Sequence, residues 1–174
     1  MSQFPDKVIS IKNEALKVLQ EHFSQIDEIS LYNTSKILNV FNKHQISNYH
    51  FLNSTGYGYG DAGRETLDAA WADICQTEKA LFRPNFVSGT HALATVLFAL
   101  LRTGDELLSV TGAPYDTLQT VIGNVNHVPG SLTERGIRYR EVELHDGSPD
   151  LNQISQAVNS STKMALIQRS RGYS

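Results

Sequence analysis

The chain has 174 residues, of which 40% are hydrophobic and 19% charged, with a formal net charge of −3. This is enough chain and enough apolar content for a domain with a proper core, and it excludes a disordered polyelectrolyte. The negative balance argues against nucleic acid or an anionic membrane as the main partner, since the densest basic cluster, Arg135, Arg138 and Arg140, is interleaved with Glu134, Glu141 and Glu143.

Cys75 is the one cysteine, so no internal disulfide can form and a reducing compartment is expected. The longest apolar candidate, Ala92 to Leu101, falls well short of the roughly 18 residues of a membrane span. A cytoplasmic location is the expectation.

Pro5 and Asp6 suit a helix start, and Val8, Ile11, Ala15, Val18, Leu19 and Phe23 recur at helical spacing, which predicts an amphipathic helix over 6–24. A second helix is predicted over 32–45, with Ile37, Val40 and Phe41 inward. His44 and His50 stand six apart, a spacing with no helical metal geometry, and no metal site is expected.

Asn53 to Arg64 then places Gly56, Gly58, Gly60 and Gly63 within eight positions. Such a run costs chain entropy and serves close backbone approach or unusual dihedrals. It matches neither a dinucleotide fingerprint nor a P-loop. Asp61 is placed to cap a helix whose apolar face is Leu67, Trp71, Ile74 and Cys75, with Trp71 and Cys75 read as core. Arg64 stands in the first turn, where a cation opposes the helix dipole and an anion would explain it.

Phe86-Val87 reads as a short strand leading into Ser88-Gly89-Thr90-His91-Ala92 and a helix from Ala92 to Arg102. A compact hydroxyl-bearing turn at a helix start directs backbone N–H groups and the positive end of the dipole outward, which seats a phosphate or carboxylate. The same residues also make a good N-cap with no ligand. The helix is apolar on most sides, as in a helix covered on both sides, and Gly104 is expected at its C′ position.

Glu106 to Val110 reads as a buried strand, followed by Thr111-Gly112-Ala113-Pro114-Tyr115-Asp116. Ile137 to Leu144 is a further strand, Asp146-Gly147 a turn, Asp150 the cap of a helix bearing Leu151, Ile154, Ala157 and Val158, and Lys163 to Gln168 a last strand. The alternation is α/β, with ligands expected at the carboxyl ends of parallel strands, where Ser88 and Tyr115 fall. The polar ending, Arg169 to Ser174, looks like site material with nothing after it, so the chain is expected to be the first part of a longer protein or one piece of a split one.

Ser88 to Ala92, Gly104-Asp105-Glu106 and Pro114-Tyr115-Asp116 resemble the cofactor half of fold-type-I pyridoxal-phosphate enzymes of cysteine and methionine metabolism. The Thr55–Arg64 loop and the Gln168–Ser174 ending narrow this to the methionine gamma-lyase-like, aluminium-resistance group of carbon–sulfur lyases. The resemblance implies an aspartate-aminotransferase-like, mainly parallel sheet with flanking helices, divided as an N-terminal helical segment, 1–52, and an incomplete cofactor-binding large domain, 53–174.

It also implies that Ser88, Gly89 and Thr90 hold the phosphate of pyridoxal 5′-phosphate and that Tyr115 lies on its ring. Tyr57, Tyr59 and Arg64 would reach a neighbouring subunit's site, making a homo-oligomer with residues 53–64 at the interface. Arg169 or Arg171 would meet the substrate carboxylate, for which a guanidinium fork is suited.

The departure from the family concerns the lysine that bonds the cofactor and the acid that pairs with the pyridine nitrogen. Both come later in the family than the region matched here. Lys7, Lys12, Lys17, Lys36, Lys43, Lys79 and Lys163 match no such motif. The expected function is the N-terminal part of a lyase for a sulfur amino acid, working by β- or γ-elimination, with no catalytic residue in this chain and no turnover by it alone. The alternatives are a non-catalytic α/β module for a phosphorylated ligand and an assembly fragment.

Overall fold

The computed structural model describes residues 4–54 and 59–170. The chain forms two compact units, Met1–Pro84 and Asn85–Ser174.

In the first unit, α1 runs unbroken over Asp6–Lys43. The two helices expected at 6–24 and 32–45 are therefore one. No glycine or proline lies between Pro5 and Gly56, so nothing in the backbone interrupts the i→i−4 ladder. Of the residues expected inward, Val40 is buried while Ile37 and Phe41 are about 40% exposed, and Val40 is the one buried residue of α1.

A 3-10 turn, Asn48–Phe51, precedes α2, Ala62–Cys75. Asp61 caps α2 as expected, its Oδ1 accepting the Arg64 N–H at 2.9 Å. Gly63 answers to close approach, because a Cβ there would lie 2.7 Å from the His50 carbonyl oxygen. Asp73 near the end of α2 takes both Lys43 Nζ (2.8 Å) and His44 Nε2 (2.5 Å) from the end of α1. These contacts lower the Asp73 carboxyl from its ordinary value, Lys43 most. Cys75 is exposed, and Trp71 is 40% exposed while stacked on Phe82 at 5.3 Å. The face assigned to the core is thus half open, with only Ala70 of α2 buried.

The second unit opens with α3, Gly89–Leu100, which starts three residues earlier than the apolar run suggests. Residues 81–88 form no strand, so Ser88 follows an irregular segment. Leu101 is already extended, and Gly104, at φ +92, sits in the turn beyond it. Next come β1, Glu106–Ser109, and α4, Asp116–Ile122. They are followed by β2, Arg138–Glu141, and a two-residue hairpin pair, β3 (Leu144–His145) with β4 (Ser148–Pro149). The chain continues through α5, Leu151–Ala157, to β5, Thr162–Leu166. Asp150 caps α5 through two N–H groups at 3.0 Å.

The sheet is parallel throughout, in the order β2-β1-β5. Its central strand alternates between two cores, as the two-residue period of a strand requires. Leu107 joins Leu97, Leu101, Leu118, Ile122, Leu132 and Ile137, while Leu108 joins Val110 and Val142 with Ile154 and Ala157 alongside. Helices α3 and α4 cover one face and α5 the other. On α3, however, Leu93, Val96 and Leu100 are exposed, so the cover expected on both sides is present on one. Among the described residues no helix is long and apolar enough to cross a membrane.

A carboxylate opens the central strand. Glu106 is 4% exposed and receives Arg140 Nε (2.8 Å), Arg140 Nη2 (2.9 Å), Thr162 Oγ1 (2.7 Å) and Asn159 Nδ2 (3.0 Å). Arg140 most of all holds its pKa down at about 2, against the opposing effect of burial. A depressed carboxyl contributes stability above its unfolded pKa and loses it as pH falls through the folded one. Glu106→Gln should therefore lower unfolding stability by about 3 kcal/mol at pH 7. In urea titrations the gap to the native chain should narrow from about pH 4.5 downward and close near pH 2.

Candidate functional site

The carboxyl ends of β1 and β5 carry the second unit's concentration of hydroxyl and amide groups. Ser88, in extended backbone, is the N-cap of α3, and its Oγ accepts the His91 N–H at 3.1 Å. That contact uses the oxygen as an acceptor and leaves its O–H able to donate. Among the described residues nothing takes the N–H groups of Gly89 and Thr90, as the first turn of a helix dictates. A Cβ at Gly89 would meet nothing within 4 Å, so a ligand can reach the backbone there.

Two helices meet at Thr90. Its Oγ1 lies 2.7 Å from the Tyr115 hydroxyl and 3.2 Å from Thr117 Oγ1. Tyr115 is the N-cap residue of α4 and is half-buried against the Leu107 core. The loop before it is pinned from below: Ser109 Oγ donates to the Gly112 carbonyl (2.6 Å), and the Gly112 N–H donates to Val142 (2.8 Å). The Tyr115 N–H donates to Gln168 Oε1 at 3.1 Å.

The arrangement combines two outward N–H groups, a helix dipole, hydroxyls able to donate, and an aromatic ring held beside them. Chemically it offers donors for an anion beside an aromatic face.

Ser88, Gly89, Thr90 and Tyr115, predicted from sequence, are thus brought together. Arg169 is exposed and lies directly after Gln168. Tyr59 and Arg64 belong to the first unit, where Tyr59 is fully exposed and Arg64 lines an apolar cavity of about 720 Å³ with Phe41, Leu67, Trp71 and Phe82. Beside Arg64, the Asp61 carboxyl is lowered from its ordinary value, first by the Ser54 hydroxyl and then by the Arg64 N–H. Tyr57 and Arg171 lie outside the described residues. His91 sets its ring edge-on to Phe86 at 5.7 Å.

Sequence reading missed Thr117 and Gln168. Thr117 was missed because α4 was not recognised, although Asp116 in the first turn and Gly123 at φ +79 mark its two ends; Gln168 was missed because its contact with Tyr115 spans 53 positions. A Cβ at Gly123 would lie 2.3 Å from Ser131 Oγ, so both space and dihedral require glycine there.

A family model for methionine gamma-lyase matches residues 8–174. The chain is 46% identical to a carbon–sulfur lyase involved in aluminium resistance from Clostridium novyi NT, with a TM-score of 0.84, covering 95% of this chain and 41% of that one. It is 44% identical to a protein of Bacillus cereus of known structure, with a TM-score of 0.86, covering 96% of this chain and 41% of that one. It is also 47% identical over 151 residues to the uncharacterized protein YnbB of Bacillus subtilis (strain 168), covering 86% of this chain and 36% of that protein. The chain therefore spans about two fifths of the length of these relatives.

The cap and the anion seat can be separated at Ser88. Ser88→Ala should cost about 1 kcal/mol in urea unfolding, whereas Ser88→Asp, itself a good N-cap, should stay within about 0.5 kcal/mol of the native chain. Inorganic phosphate binding, followed by amide shifts at Gly89 and Thr90, should survive in the first variant and vanish in the second through charge repulsion.

Proposed function

Because the chain belongs to the methionine gamma-lyase family, we propose that it is the phosphate- and ring-holding part of a pyridoxal 5′-phosphate-dependent carbon–sulfur lyase. The reaction class is β- or γ-elimination from a sulfur amino acid. The observation that carries this reading is the Thr90–Tyr115 contact, which sets a tyrosine ring beside the open start of α3.

The residues fit the group. The N–H groups of Gly89 and Thr90 and the hydroxyls of Ser88 and Thr90 would hold the phosphate. Tyr115, its hydroxyl fixed by Thr90 and its backbone by Gln168, would support one face of the pyridine ring. When bound, the cofactor supplies the electron sink that stabilises the carbanion left by α-proton removal. Arg169, with Arg171, would orient the substrate carboxylate by paired N–H donors. No residue here is assigned the covalent or ring-nitrogen role, so for this chain alone the proposal is binding without turnover.

We also propose that the chain works as a homo-oligomer, a dimer or tetramer, with residues 53–64 at a subunit interface and Tyr57, Tyr59 and Arg64 turned toward a neighbour's phosphate. The full exposure of Tyr59 supports this. In sedimentation velocity a dimer or larger species is the expected result, and a monomer at every concentration contradicts it.

Ligand binding tests the cofactor reading against a plain phosphate module. The native chain should bind pyridoxal 5′-phosphate at least tenfold more tightly than inorganic phosphate. Tyr115→Ala should weaken the ring-bearing ligand roughly threefold to tenfold, the range of an aromatic stacking contact, and leave inorganic phosphate unchanged. Equal affinity of the native chain for both ligands would favour the phosphate module instead.

A further inference from the structure

Gln168 lies two residues past the end of β5, and all of its polar groups other than the carbonyl are engaged within the second unit. Its N–H donates to Thr111 Oγ1 at 3.0 Å, its Oε1 accepts the Tyr115 N–H at 3.1 Å, and its Nε2 donates to the Ser170 carbonyl at 2.9 Å. Thr111 and Tyr115 belong to the loop that leaves β1, and Ser170 to the segment that leaves β5. One side chain thus spans the two strand ends that frame the site.

The Tyr115 N–H has no turn of helix behind it, and Pro114 before it brings no N–H of its own. The Ser170 carbonyl fixes which way round the amide lies: it takes Nε2, so Oε1 is presented to Tyr115. A carboxamide suits both contacts, because it carries an acceptor and a donor on one planar group at the end of a two-methylene stem.

From this geometry we propose that Gln168 is the positioning residue of the site, fixing Tyr115 to the end of β5 so that its ring is set before a ligand arrives. The inference rests on the reading of Tyr115 as the ring support. Gln168 acts through the backbone of Tyr115. A ring support held this way loses little freedom on binding, which is how preorganisation raises affinity.

The test uses the full 174-residue chain with Gln168→Met, which removes both side-chain contacts at similar size, and Gln168→Glu, which keeps the acceptor for Tyr115. Hydrogen exchange at the Tyr115 amide, measured without ligand, should quicken at least tenfold in the first variant and stay within about threefold of native in the second. Pyridoxal 5′-phosphate should bind about tenfold more weakly to Gln168→Met, with loss of the circular-dichroism band induced in the bound ligand. Gln168→Glu should restore both, which a general loss of stability would not do. Unchanged exchange in Gln168→Met, or an unchanged affinity and band, overturns the proposal. If the native chain takes up no pyridoxal 5′-phosphate, the cofactor reading fails, and the exchange comparison still decides whether Gln168 holds Tyr115. Gln168→Asn, one methylene short of Tyr115, takes the place of Gln168→Met should that variant not fold.

Discussion

Everything in the second unit depends on a carboxylate taken out of water. Glu106 heads the central strand, and Arg140 of β2 and Thr162 of β5 both close on it, joined by Asn159 from the turn between α5 and β5. The charge costs energy to bury and is retained because four donors, two of them on one guanidinium, meet it. Removing any one partner would leave the rest aimed at a group poorly satisfied. The network therefore ties the start of β1 to the start of β5 and to Arg140 within β2; just past it the β1–β5 register shifts by one residue, between Glu106 and Leu107, and the ladder then runs on to the carboxyl ends.

The site lies at the far end of those strands, and its order follows from theirs. Ser109, the last residue of β1, starts the chain of contacts through Gly112 to Val142, and Val110 donates to Leu166 of β5. The loop that carries Tyr115 is therefore held on both sides before any ligand is considered. Helices α3 and α4 then bring Thr90 to the Tyr115 hydroxyl and to Thr117 Oγ1. A helix start supplies N–H groups that no backbone partner can take, and here they stand beside a ring held in place. The combination sets unspent donors beside a fixed aromatic surface, which a capped helix alone does not.

The first unit follows a different logic. Its long helix is continuous because nothing in its sequence stops it, yet it buries only Val40. Helical periodicity found the apolar residues of 6–24 and 32–45, and what covers them is decided elsewhere. The same holds for Cys75 and Trp71 on α2 and for Leu93, Val96 and Leu100 on α3, which are apolar by pattern and exposed in the chain as it stands. Pattern measures the character of a face. Burial depends on a second surface, which local sequence does not contain.

What the sequence determined by itself was local. Asp61, Ser88 and Asp150 cap the helices their positions announced, because a side-chain oxygen two or three residues before free N–H groups is a short-range arrangement. The strands at 106, 138 and 162 and their α/β order were likewise legible from apolar runs and turn residues, and so was the capping turn at Ser88-Gly89-Thr90. Tertiary structure alone decided which strand is central, that Glu106 and Arg140 meet across 34 positions, and that Gln168 reaches Tyr115 across 53. These contacts depend on the crossovers that set parallel strands side by side, so no window of sequence records them, and it is they that turn a capped helix start into a built site.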